Sequence, residues 1–144
     1  MMRAPKTITC AAVLFSVAAA ADSGEGEFIN HMSRLQYFSH KLGLAIDAGN
    51  KDLQRFYVHE VEEQIEAVSA TQQLDGIEIS KFTAQFLLPK FENLEVAVKA
   101  GEPEAIDTAY DEMLESCNDC HRASQRQFIK IERRVDNPYM QSFE

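Results

Sequence analysis

From residue 26 onward, apolar side chains recur at three- and four-residue steps, the spacing that lines one face of an α-helix. The first stripe is Phe28, Met32, Leu35, Ser39, Leu42 and Ile46, which predicts a helix from Gly26 to Ala48 that stops at Gly49-Asn50. Tyr57, Val58, Val61, Ile65 and Val68 form a second stripe between Asp52 and Gln72, with His59, Glu62, Glu63 and Glu66 on the polar side. Asp75-Gly76 then predicts a turn. A third helix, Ser80 to Ala100, carries Phe82 and Phe86 and then Phe91, Leu94 and Val98, a change of register that predicts a kink at Pro89. The fourth opens at Pro103, after Gly101. Its apolar face runs through Ile106, Tyr110, Met113, Cys117, Cys120, His121, Ser124, Phe128 and Ile131, which predicts a helix reaching Arg133. Asp22 to Gly26 and Asp136 to Glu144 read as loosely ordered ends. No segment alternates with the two-residue period of a strand. Short loops between four such helices predict an all-α fold, an antiparallel up-down-up-down four-helix bundle with room for a cofactor between facing helices.

The first 21 residues differ in kind. Arg3 and Lys6 precede an uncharged stretch, Thr7 to Ala21, that ends in four alanines. This is the layout of a secretory signal cleaved after Ala21, and Cys10 is expected to leave with it. The remaining 22–144 is the size of one domain. Later uncharged runs do not exceed eight residues, so no membrane span is expected after signal removal. Without Arg3 and Lys6, 12 basic residues face 23 acidic ones, a net charge of −11. Nucleic acid is therefore excluded as a partner, because phosphate binding needs a basic footprint.

Two cysteines survive export, and their neighbour gives them meaning. Cys117-Asn118-Asp119-Cys120-His121 is the C-x-x-C-H arrangement that attaches a c-type haem, each thiol adding to one vinyl group while the adjacent imidazole is delivered to iron. Three competing uses of the pair explain less. A thioredoxin-type redox couple follows a strand in a βαβ pattern, which is missing here. Zinc would require two more ligands. A local disulfide leaves His121 unexplained.

An export signal, a four-helix mature chain of this length and a C-x-x-C-H on the last helix together resemble the cytochrome c prime family of bacterial haem proteins. The resemblance implies one haem c held by Cys117 and Cys120, with His121 as the proximal axial ligand of the iron. It also implies a periplasmic location, frequent homodimerisation, and roles in electron transfer or in binding nitric oxide or carbon monoxide. An electron carrier working with a redox partner protein is expected; the alternatives are a five-coordinate protein for a small gas ligand and a haem subunit of a larger periplasmic oxidoreductase. Enzymatic catalysis is not expected, since the chain has no nucleophile motif, no phosphate-binding Gly loop and neither H-E-x-x-H nor Glu-x-x-His.

The sixth iron position separates these alternatives. His121 lies 12 residues before the expected helix end at Arg133, which at about 1.5 Å per residue places the facing part of the first helix between Met32 and Leu42. Met32 is the inward residue there with a ligand atom, and is the candidate distal ligand. Leu35, Ser39 and Leu42 would otherwise wall the distal side. His31 lies off the centre of its stripe, while His40 and His59 are expected in solvent, His59 beside Glu62 or Glu63. Arg122, Arg126, Lys130, Arg133 and Arg134 follow the motif closely, and one of them is a candidate partner for a haem propionate. Glu60, Glu62, Glu63 and Glu66 give the second helix an acidic face that could steer a basic partner. Leu44 and Phe56 are candidate exposed apolar residues for dimerisation.

Overall fold

The computed structural model describes residues 19–144, with side chains from residue 24 onward. The expected signal, Cys10 included, therefore lies outside the described residues apart from the backbone at its very end. Four helices account for the architecture: α1 (Ala19–Asp47), α2 (Lys51–Ala70), α3 (79–100) and α4 (Pro103–Ala123). The described residues form no strand, and none of their helices is long and apolar enough to cross a membrane. α1 packs mainly on α2 and α3 on α4, while contacts of α2 with α3 and of α1 with α4 complete an arrangement compatible with a four-helix bundle.

The helix ends follow from local chemistry. Gly49 takes φ 66°, its N–H donates to Ile46 O at 2.9 Å, and Asn50 N–H reaches Ala45 O at 3.0 Å. This pair of bonds closes the open carbonyls of α1. Asn50 then caps α2, its Oδ1 accepting from Leu53 N at 3.1 Å. Asp75 and Gly76 both have positive φ and bring Leu74 and Ile77 into an isolated antiparallel bridge, the geometry that an Asp-Gly pair favours. Gly101 ends α3 in the left-handed region, and Pro103 opens α4.

The interruption expected at Pro89 takes the form of a π-helical turn, Thr83–Leu87, between the α-helical pieces Ile79–Phe82 and Leu88–Ala100. Pro89 has no N–H to give the preceding turn, and the register slips just ahead of it, Leu88 N–H donating to Thr83 O. This slip turns Thr83 and Leu87 inward, and leaves Phe82 and Phe86 only half-buried.

Leu35, Leu42, Val61, Ile65, Phe91, Leu94, Ile106, Tyr110 and Met113 form the core, and all of them follow the expected stripes. Four expectations need correction. Leu44 is buried rather than exposed, whereas Phe56 is exposed. Asp22 to Gly26 belongs to α1. The C-terminal tail is docked: Phe143 is buried, Gln141 Oε1 accepts from Tyr57 at 2.6 Å and from Lys41 Nζ at 2.9 Å, and Asn50 Nδ2 donates to Phe143 O at 3.2 Å. Finally, α4 ends at Ala123, ten residues before Arg133.

That early end has a clear cause. Gln125 adopts φ 59°, its N–H donates to Arg122 O at 3.1 Å and Arg126 N–H donates to His121 O at 2.7 Å. These bonds are a Schellman stop built on glutamine instead of glycine. Residues 124–133 then return beside α4 as a strap. Phe128, expected on the buried face, is 76% exposed as a result.

Candidate functional site

The C-x-x-C-H segment occupies the last two turns of α4 and lines a cavity of about 740 Å³. This volume lies within the range of about 300–1,000 Å³ typical of ligand and cofactor sites. α1 contributes Met32, Leu35 and Ser39 to the wall, α4 adds Tyr110 and Leu114, and the strap adds Ile129 and Ile131. The expected window on α1, Met32 to Leu42, thus faces the motif even though α4 is shorter than predicted. Leu42 itself is fully buried in the core and lies away from the cavity wall.

Both cysteines are free thiols. Burial pushes the Cys117 thiol up to about 12, with a smaller contribution from Cys120 beside it, and burial raises Cys120 as well. Cys117 Sγ donates to Met113 O at 3.4 Å. A redox-active pair requires the opposite, a thiol held below its ordinary value by positive surroundings. Among the described residues no group of three or more His, Cys, Asp and Glu side chains is placed to hold a metal ion.

His121 is buried, and its Nδ1 lies 2.8 Å from Ile129 O. A carbonyl can only accept, so Nδ1 carries the proton and Nε2 keeps its lone pair. Burial lowers the His121 pKa, the Ile129 contact opposing it, so the imidazole is neutral at pH 7. A neutral ring with a free Nε2 is the form that ligates metals.

The other histidines divide as follows. His31 makes a long contact with Gln64, Nδ1 to Oε1 at 3.4 Å, and is not part of the cavity wall. His40, expected in solvent, is instead held by the tail: its Nε2 donates to Asp136 O at 3.1 Å and its Nδ1 accepts from Tyr139 at 3.0 Å. His59 is exposed beside Glu62 and Glu63, at 3.6 and 3.5 Å, as its spacing predicts.

Of the five cations after the motif, four have carboxylate partners. Arg122 pairs with Glu115 and Asp119, Lys130 with Glu132, and Arg134 with Asp136. Arg133 binds three, Asp47 at 2.5 Å, Asp107 at 2.7 Å and Asp111 at 2.9 Å. Arg126 is half-buried on the cavity wall and has no carboxylate partner among the described residues.

Several contacts of the site carried no signal in the sequence. Tyr110 crosses from α4 to α1, where its hydroxyl donates to Ser39 O at 2.8 Å. Gly43 makes room for that ring. His121 and Asn118 find backbone partners on the strap, which the helical period predicts as a continuation of α4, and Asn118 Nδ2 also donates to Glu115 Oε2 at 3.2 Å. No family model, curated protein or solved structure matches this chain.

Proposed function

We propose that this protein is an exported, periplasmic c-type cytochrome of the cytochrome c prime kind, an antiparallel bundle that carries one haem c on Cys117 and Cys120 with His121 as proximal ligand. The observation that carries the reading is the placement of C-x-x-C-H on the wall of a cavity of about 740 Å³, with a neutral His121 whose Nδ1 holds the proton and whose Nε2 keeps its lone pair. The chemistry of the donors fits: two half-buried thiols three residues apart, both with raised pKa, suit thioether attachment better than thiolate chemistry. When bound, the haem supplies a one-electron iron couple and, where its sixth position is open, a site for a small gas.

The chain's own residues do the rest. Leu35, Leu114 and Ile131 give the cavity apolar walls that exclude water, and a water-poor site strengthens every charge interaction inside it. Arg126, the cation in this wall without a carboxylate partner among the described residues, would hold a propionate. Met32 would be the distal ligand, which makes electron transfer with a partner protein the primary reading. A second reading, a gas-binding site, draws on Leu35, which is more deeply buried than Met32 and lines the same wall.

The test is the absorption spectrum of the exported protein, oxidised and reduced, with and without carbon monoxide. Sharp reduced bands that ignore the gas, and that become gas-sensitive in Met32→Ala, are expected. A wild-type spectrum that shifts with carbon monoxide would transfer the assignment to the Leu35-walled gas site. Protein that leaves the cell without haem would overturn both.

A further inference from the structure

We propose that Asn118, the first residue between the two cysteines, is a positioning residue for His121 that acts through the strap. The proposal rests on the haem reading of the site, and concerns a residue the C-x-x-C-H pattern leaves free. Asn118 is 6% exposed. Its side chain makes a two-way pairing with one residue of the strap: Nδ2 donates to Ile131 O at 3.0 Å and Oδ1 accepts from Ile131 N–H at 2.8 Å. The amide thereby stands in for a neighbouring strand and fixes the backbone at 131 in both position and orientation.

Ile131 lies two residues from Ile129, whose carbonyl accepts from His121 Nδ1 at 2.8 Å. Asn118 and His121 are three apart on α4 and therefore share a face. Together they grip the short segment 129–131 at both ends, and the Asn118 grip determines where the Ile129 carbonyl stands relative to the imidazole. Beyond it, Arg133 secures the strap to Asp47, Asp107 and Asp111. An apolar side chain at 118 would leave the N–H and C=O of Ile131 without their partner, and aspartate would keep an acceptor but lose the donor.

The consequence concerns the strength of the ligand. A firm acceptor at Nδ1 raises the basicity of an imidazole and the electron density at its other nitrogen, which favours the oxidised iron. A purely structural Asn118 would affect stability alone. The experiment therefore measures midpoint potential and the solvent exchange of the His121 Nδ1 proton by NMR, in haem-loaded wild type, Asn118→Ala, Asn118→Asp and the control Val98→Ala. Val98 is buried on α3 and is not part of the cavity wall, so its truncation costs stability alone.

Asn118→Ala should raise the potential and exchange the Nδ1 proton about tenfold faster, the change expected when roughly one hydrogen bond no longer resists opening. Asn118→Asp should give an intermediate exchange rate, and Val98→Ala should leave both readouts at wild-type values. Equal potentials and exchange rates in wild type and Asn118→Ala would overturn the positioning role, as would an identical shift in Val98→Ala. If neither Asn118 variant retains haem, hydrogen exchange in the wild type decides. An Ile131 amide as protected as those of α4 supports the grip, and one exchanging like the exposed Gln127 amide refutes it. Haem-free wild-type protein would refute the reading of the site itself, an outcome distinct from a haem-loaded protein indifferent to Asn118.

Discussion

Replacing Gly43 by Ala should destabilise this protein, although in an unobstructed helix the same change stabilises. Glycine loses the most backbone freedom on folding, so Gly→Ala in a helix interior gains about 1 kcal/mol. At this position, however, a Cβ would lie 2.9 Å from Cζ and 3.2 Å from Cε1 of Tyr110, and nearer still to the hydroxyl. The ring is held where it is. Tyr110 is 2% exposed and its hydroxyl is committed to Ser39 O at 2.8 Å. Overpacking costs about 1–3 kcal/mol, and displacing the hydroxyl adds about 1 kcal/mol. Set against the helix gain, the net loss is about 1–3 kcal/mol. Urea unfolding followed by helical circular dichroism would measure it in wild type, Gly43→Ala, Tyr110→Phe and the double variant. Tyr110→Phe alone should cost about 1 kcal/mol. In the Phe background the closest contact is gone, so Gly43→Ala should cost at least about 1 kcal/mol less than in wild type. A stabilised Gly43→Ala, or equal costs in both backgrounds, would refute the crossing as the cause.

Two further predictions use the same region. On the proposed haem reading, with Arg126 holding a propionate, Arg126→Gln should lower the midpoint potential, because losing that cation would make the less positive reduced iron harder to form, while Arg122→Gln and Arg134→Gln, already paired with carboxylates, should do little; no change in Arg126→Gln would sink its role. Burial holds the Tyr110 phenol above its ordinary value of 10.0, with Arg133 pulling the other way. The folded protein therefore keeps a proton that the unfolded chain releases, so this contribution is complete below pH 10 and falls by about 1.4 kcal/mol per unit as pH rises toward the folded value. Tyr110→Phe should weaken that alkaline loss, and stability curves that stay parallel above pH 10 would count against it.

Much of this architecture was legible because helix periodicity and helix ends are local matters. Val61, Ile65, Leu94 and Met113 are buried where a 3.6-residue period places them. Gly49, Asp75-Gly76 and Gly101 stop or turn the chain because each can take positive φ at little cost. Met32, Leu35 and Ser39 face the motif across the cavity, as their stripe predicted. The same logic failed at residue 124. Phe128 and Ile131 continue the apolar period of α4, and nothing local announces that Gln125 will enter the left-handed region usually left to glycine. The tail was misread for a related reason: Gln141 and Phe143 are unremarkable in sequence, and gain partners only once Lys41, Asn50 and Tyr57 are brought together.

By itself, the sequence determined four helices, their inward faces, most of their ends, and the place of the Cys117-to-His121 C-x-x-C-H run on the last of them. Those properties depend on neighbours within a turn or two, and a single chain states them directly. Only the tertiary structure decided that α4 stops at Ala123, that the strap brings the Ile129 carbonyl to His121 and Ile131 to Asn118, and that Arg126 alone among five cations lines the cavity without a carboxylate partner among the described residues. Each of these depends on which distant groups remain to satisfy a buried donor, acceptor or charge, and that pairing exists only after the helices have packed.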